Sequence, residues 1–210
     1  SGTGVIITRD GLVLTNNHVI EGSDNITITL DDGTQLDADF VGGDRLSDLA
    51  VLRLPSGQYP FLPVSEEINL RVGEWVIAIG NALALPGGPT VTVGVVSALG
   101  RSREAIGGTT LNDLVQTDTV INPGNSGGAL IDVHGNVVGV VVAGLNALKL
   151  LATTGTLPQN VNYAVKSTRL LPLLRRRRRR RRQTRRGARR TTKHTCCHLH
   201  RRRRRRRGPR

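Results

Sequence analysis

Alternation of aliphatic and polar residues, rather than a helical spacing of three to four, organises most of this chain. In residues 25–30, Ile26, Ile28 and Leu30 alternate with Thr27 and Thr29, which puts the aliphatic side chains on one face of a pleated strand. Similar short runs, broken by Gly, Asn, Asp and Pro, recur from residue 3 to residue 165 and predict an all-β fold. A first group of strands is expected over 3–8, 12–16, 25–30, 35–41 and 49–54. After a connection bearing Pro55, Pro60 and Pro63, a second group is expected over 75–80, 90–98, 113–117, 129–132, 137–143 and 161–165. Asp32-Gly33 and His134-Gly135-Asn136 read as hairpin turns between neighbouring strands. Small barrels bury inward side chains and leave no edge. The second group has enough strands to close such a barrel, and the first is one short. The expected architecture is therefore two six-stranded antiparallel β-barrels, over 1–64 and 65–174, the first lacking its first strand through truncation at the N-terminus.

Beyond an apolar stretch at 169–174 the pattern ends. Residues 175–210 hold twenty-one of the thirty Lys and Arg residues and none of the sixteen Asp and Glu residues. The net charge of +14 thus belongs to the tail, and residues 1–174 are mildly acidic. So few apolar side chains amid self-repelling charge cannot offset an ordering entropy of roughly 1–2 kcal/mol per residue, which makes the tail a disordered segment. Its charge suits RNA, DNA or an anionic membrane surface, but it lacks aromatic residues for base stacking, and the tail reads rather as a low-complexity or misread extension. The two cysteines, Cys196 and Cys197, both lie there, so no disulfide framework holds the core. With His194, His198 and His200 they lack the two-residue spacers of zinc sites, and no metal site is expected. No apolar run approaches the roughly 20 residues needed to cross a bilayer. Ser1 opens directly into strand-like sequence without Met or a leader, which implies that something precedes it.

Gly124-Asn125-Ser126-Gly127-Gly128 is the sharpest chemical signal. A serine on a glycine-flanked turn keeps its hydroxyl clear of the sheet, and the N–H groups of Gly124 and Ser126 can converge on an oxyanion. By itself the string also fits an ordinary turn. A serine nucleophile needs a base, and of five histidines three lie in the tail and His134 in a hairpin turn. That leaves His18, in Thr15-Asn16-Asn17-His18-Val19. The base needs a carboxylate to hold its tautomer. Asp48 stands at the mouth of an apolar strand, with Asp44 as its rival.

These segments, together with Ser1-Gly2-Thr3-Gly4-Val5-Ile6-Ile7 and Asn122-Pro123 ahead of the serine loop, resemble the trypsin-like serine peptidases and their HtrA/Deg branch. The order His, Asp, Ser is that of the trypsin-like fold. The resemblance covers residues 1 to about 174 and implies a cleft between two barrels holding a His18, Asp48, Ser126 triad. It implies an ATP-independent endopeptidase that needs no cofactor and acts on unfolded or damaged protein and peptides. Digestive trypsins carry an aspartate where this chain has Asn125, so zymogen cleavage is not the expected switch. The family's pocket floor falls on Val120 and Ile121, with Asn162 in a neighbouring wall formed by 161–164. None is acidic, which implies cleavage after small or medium aliphatic residues. Relatives are mostly found in bacterial envelopes, plastids and mitochondria, trimers are common among them, and many carry a further strand before this region and a PDZ module after it. Two other readings stay open: an inactive barrel scaffold that binds peptides, and a binder of anionic polymers through the tail.

Overall fold

A computed structural model of the chain describes residues 1–65, 67, 69–81, 88–104, 108, 110–143, 160–170 and 172. The chain divides into two units, Ser1–Leu173 and Leu174–Arg210. All described residues belong to the first, so the expectation of a disordered, polymer-binding tail lies outside them.

The first unit is nearly all β. Its opening half contains β1 (Val5–Ile6), β2 (Leu12–Asn16), a single helical turn α1 (Asn17–Ile20), β3 (Thr27–Thr29), β4 (Gln35–Asp37), β5 (Asp39–Asp44) and β6 (Leu49–Arg53). These strands make an open sheet in the order β1-β2-β6-β5 and a separate β3-β4 hairpin. The half therefore has six strands rather than five, because the run at 35–41 is divided in two. Ala38 donates its N–H to the Ile26 carbonyl at 2.8 Å, and Asp39 then pairs with Arg53 of β6. A bulge between Phe40 and Gly42 turns the strand further, as bulges do at sheet corners. Among the described residues no ladder closes this half into a barrel. Its core is built by Val13, Leu52 and Leu54, against which Ile6, Ile20, Ile26, Ile28, Leu30 and Leu36 pack.

The second half comprises β7 (Trp75–Gly80), β8 (Thr90–Glu104), β9 (Thr110–Thr117), β10 (Ala129–Ile131), β11 (Val137–Val142) and β12 (Asn162–Lys166). They close as a barrel in the order β10-β11-β12-β9-β8-β7. Val76, Ala78, Val96, Val115, Leu130, Val138, Val141 and Ala164 fill its interior. Strand β8 runs six residues past the expected end, with register shifts near Ala98 and Arg101.

Asp132 organises the β10–β11 turn. Its Oδ1 accepts the N–H groups of His134 at 2.9 Å and Asn136 at 2.8 Å, and its Oδ2 accepts Asn136 Nδ2 at 3.0 Å. Burial alone would raise its pKa, but the bonds from Asn136 and His134 outweigh it and hold the carboxyl below its ordinary 3.8. The ionised form therefore stabilises the fold above 3.8, and the contribution is lost as the pH falls from there through the lowered folded-state value. Asp132→Ala is expected to cost about 1–2 kcal/mol at neutral pH, with the difference shrinking in acid; thermal unfolding at pH 7 and pH 3 measures both.

Candidate active site

The first cluster forms where β2 ends beside the start of β6. Asn16 pairs with Leu49 across the ladder, which puts the residues just beyond each strand end, His18 on α1 and Asp48 before β6, next to each other. Asp48 has φ +53°, a left-handed conformation that aspartate tolerates better than most residues. Its carbonyl accepts both Asn16 Nδ2 and the Asn17 N–H at 3.0 Å, which holds that conformation in place. Its carboxylate grips the histidine twice. Oδ1 accepts the His18 N–H at 2.9 Å and Oδ2 lies 2.6 Å from His18 Nδ1. The carboxylate is nearly buried, whereas the imidazole side chain is 37% exposed. Asp44, the rival carboxylate, instead accepts Leu46 N–H, Ser47 N–H and Ser47 Oγ in its own turn.

The serine loop is built from a tight turn. Asn125 N–H donates to the Asn122 carbonyl at 3.0 Å, with Pro123 at the second position and Gly124, φ +97°, at the third; these are the features of a type II turn. Gly127 follows at φ +87°. A Cβ there would run into the Thr3 carbonyl and Thr15 Oγ1, so only glycine lets the loop press against the residues leading to His18. The N–H of Asn125, Gly127 and Gly128 donate to Asn122, Val141 and Asn125 respectively. Among the described residues the N–H groups of Gly124 and Ser126 donate to no carbonyl. Two polar N–H groups flanking a serine, left without backbone partners in a compact turn, are suited to an anionic ligand.

Ser126 is buried, and its hydroxyl is engaged by the end of β11. Oγ accepts the Ala143 N–H at 3.1 Å and donates to the Ala143 carbonyl at 3.0 Å. The structure thus brings His18 and Asp48 into direct contact, while among the described residues no hydrogen bond joins Ser126 to His18.

Val120 and Ile121 differ in surroundings. Val120 is 48% exposed and its carbonyl accepts Thr92 Oγ1, whereas Ile121 packs against the barrel core. Asn162 Nδ2 donates to the Thr119 carbonyl at 2.8 Å, which ties β12 to the segment leading into the serine loop. Among the described residues no group of three or more His, Cys, Asp or Glu side chains is placed to hold a metal ion. No helix among them is long and apolar enough to cross a membrane.

Three contributors were not anticipated from the sequence. Asn16 and Thr3 lie among other polar or glycine residues, so their residue type is an unspecific signal. Ala143 acts only through its backbone, so its side chain carries no signal.

A family model described as a trypsin-like peptidase domain matches residues 2–140. The chain is 46% identical over 142 residues to a probable periplasmic serine endoprotease, DegP-like, of Chlamydia trachomatis, covering 68% of this chain and 28% of that protein. It is 44% identical over 147 residues to the putative serine protease HhoB of Synechocystis, covering 68% of this chain and 34% of that one. The chain thus spans about a third or less of these curated relatives. Among solved structures it is similar to the serine endoprotease of Yersinia pestis, with a TM-score of 0.69 and 33% identity over 85% of this chain and 57% of that chain. It is also similar to the HtrA-type protease AlgW bound to a decapeptide, with a TM-score of 0.70 and 37% identity over 84% of this chain and 51% of that one.

Proposed function

This chain belongs to the trypsin-like peptidase family as a protease domain of the HtrA type, and from that premise we propose that it is a serine endopeptidase with Ser126 as nucleophile, His18 as general base and Asp48 as the carboxylate that orients it. The observation that carries the reading is the doubly bonded His18–Asp48 pair. A carboxylate on Nδ1 fixes the imidazole tautomer in which Nε2 is free to accept a proton.

The reaction requires Ser126 Oγ to turn from Ala143 toward His18. Ser126 Oγ leaves Ala143, gives its proton to His18 Nε2 and attacks the peptide carbonyl. Negative charge collects on the carbonyl oxygen, where the Gly124 and Ser126 N–H groups supply donors. His18, now an imidazolium stabilised by Asp48, passes the proton to the leaving amine. Water then repeats the sequence on the acyl-enzyme and frees Ser126. No metal or cofactor takes part in any of these steps.

Unfolded or damaged protein is the proposed substrate class, on the resemblance to HtrA-type proteases alone. Val120, Ile121 and Asn162 are the proposed pocket residues. Without a carboxylate among them, an Arg side chain entering the pocket would lose its hydration unpaired. Cleavage after Val, Ala or Leu is expected to exceed cleavage after Arg by about tenfold or more in kcat/KM. A peptide library varied at that position tests this, and preferred cleavage after Arg refutes the pocket assignment.

The bonds between Ser126 and Ala143 favour a second reading, a scaffold that binds peptides with its serine held aside. Degradation of a permanently unfolded protein separates the two. The endopeptidase yields fragments and loses activity in the presence of a serine-directed fluorophosphonate, whereas the scaffold leaves the protein intact.

A further inference from the structure

Thr3 lies at the centre of the site without belonging to the triad. Its hydroxyl donates to the Gly124 carbonyl at 2.7 Å, across 121 residues of sequence. The same oxygen accepts the Asn81 N–H at 2.9 Å. Its backbone N–H donates to the Ser126 carbonyl at 2.8 Å, and its carbonyl accepts Thr15 Oγ1 at 2.7 Å. One residue therefore holds the carbonyls of both Gly124 and Ser126, the two residues whose N–H groups have no backbone partner among the described residues.

From this network we infer that the Thr3 hydroxyl is a positioning residue for the oxyanion donors, an inference that rests on the serine-peptidase reading above. The peptide between Gly124 and Asn125 is held at both ends: its carbonyl by Thr3 Oγ1 and its N–H by the Asn122 carbonyl. Gly124 has no Cβ and sits at φ +97°, so its own sterics do little to limit rotation. The Gly124 N–H belongs to the preceding Pro123–Gly124 peptide, and clamping the peptide that follows restrains the Gly124 backbone and so narrows the directions open to that N–H. An oxyanion donor must be aimed before charge develops to contribute fully.

The clamp is anchored on two sides. Asn81 follows the last residue of β7, so its N–H ties Thr3 to the barrel and sets the direction in which the hydroxyl donates. Bonds in such a chain polarise one another. Thr15 ties Thr3 to β2, three residues before His18. The fit is close, since a Cβ on Gly2 would lie 2.9 Å from the Ser126 carbonyl and 2.7 Å from Val19 Cγ2. Thr3 thus joins the strand that leads into the turn carrying the base to the loop that carries the nucleophile.

Thr3→Val removes the hydroxyl while keeping the branched shape and both backbone bonds. Loss of an entire oxyanion donor costs about 10²–10³ in kcat; misaiming one is expected to cost about tenfold to a hundredfold. KM for a peptide substrate should stay unchanged, because the oxyanion forms only in the transition state. Affinity for a peptide boronate, which forms a tetrahedral adduct, should fall by the same factor as kcat. Thr3→Ser, which keeps the hydroxyl, should restore both. The inference is overturned by unchanged kcat in Thr3→Val, by a loss that appears in KM instead, or by Thr3→Ser no better than Thr3→Val. It is also overturned if both Thr3→Val and Thr3→Ala fail to fold, since the hydroxyl would then be a structural staple alone. A wild-type chain that neither cleaves peptide nor reacts with the boronate removes the peptidase reading and this inference together, whereas turnover in the wild type with Thr3→Val unaffected removes only the inference.

Discussion

Ser126→Ala is expected to lower kcat for a peptide substrate by about a millionfold, the scale seen when a serine peptidase loses its nucleophile. The substitution deletes one oxygen atom. That atom's bonding partners are the N–H and carbonyl of Ala143, which would lose this contact, so a modest loss of about 1–2 kcal/mol in stability is expected as well. The neighbouring glycine turns do not depend on it. Gly127 keeps its bond to Val141 and Gly128 its bond to Asn125. The variant should therefore fold, retain substrate binding and fail to turn over. Single-turnover assays on the folded variant, with unfolding monitored alongside, separate lost chemistry from lost structure. Residual activity within tenfold of wild type would mean that another group is the nucleophile.

Asp48→Asn is expected to lower kcat by about 10⁴. The reason lies in the two bonds from its carboxylate. Oδ1 accepts the His18 backbone N–H, and an amide oxygen can keep that bond. Oδ2 faces His18 Nδ1, and an amide nitrogen there donates where the carboxylate accepted. Nδ1 then becomes the acceptor and the proton moves to Nε2, which can no longer take one from serine. The backbone of residue 48 remains held by Asn16 and Asn17, so the variant should be folded with the wrong tautomer. A kcat within about tenfold of wild type would remove Asp48 from the proposed machinery.

Much of the fold was legible because strand periodicity depends on local sequence. The expected strand at 75–80 matches β7, and 12–16 matches β2. Both have strong aliphatic patterns bounded by polar or glycine residues. The hairpin at His134-Gly135-Asn136 was equally readable, since the turn chemistry sits in the residues themselves. The failures have a common cause in long-range pairing. Residues 35–41 carry an unbroken strand pattern, yet the carbonyl of Ile26 and the ladder with β6 divide them at Ala38. Strand β8 reads as ending near Ala98 because Gly100, Arg101, Ser102 and Arg103 are polar or flexible. Its pairing with β9 carries it to Glu104 through successive register shifts that erase the period-two pattern.

At the site, residue type suggested the pairing of His18 with Asp48, but not the contacts made through Ala143 and Thr3. His18 could be singled out because the other four histidines lie in the tail or a hairpin turn, and Asp48 because it stands at the mouth of an apolar strand; the structure sets them 2.6 Å apart. The contact of Ser126 with Ala143 depends on where β11 ends, and the reach of Thr3 to Gly124 on how the open sheet meets the serine loop. Neither leaves a mark in residue type. Asn125 shows the intermediate case: its identity could be compared with that of digestive trypsins, but its burial, with Oδ1 lacking a hydrogen-bond partner among the described residues, could not be foreseen.

The most direct test is to treat the folded chain with a fluorophosphonate probe and locate the adduct by mass spectrometry. A base-activated serine predicts a single adduct on Ser126 that is lost in His18→Ala. An adduct on a different residue, or labelling of Ser126 at an undiminished rate in His18→Ala, would contradict the coupling of nucleophile and base.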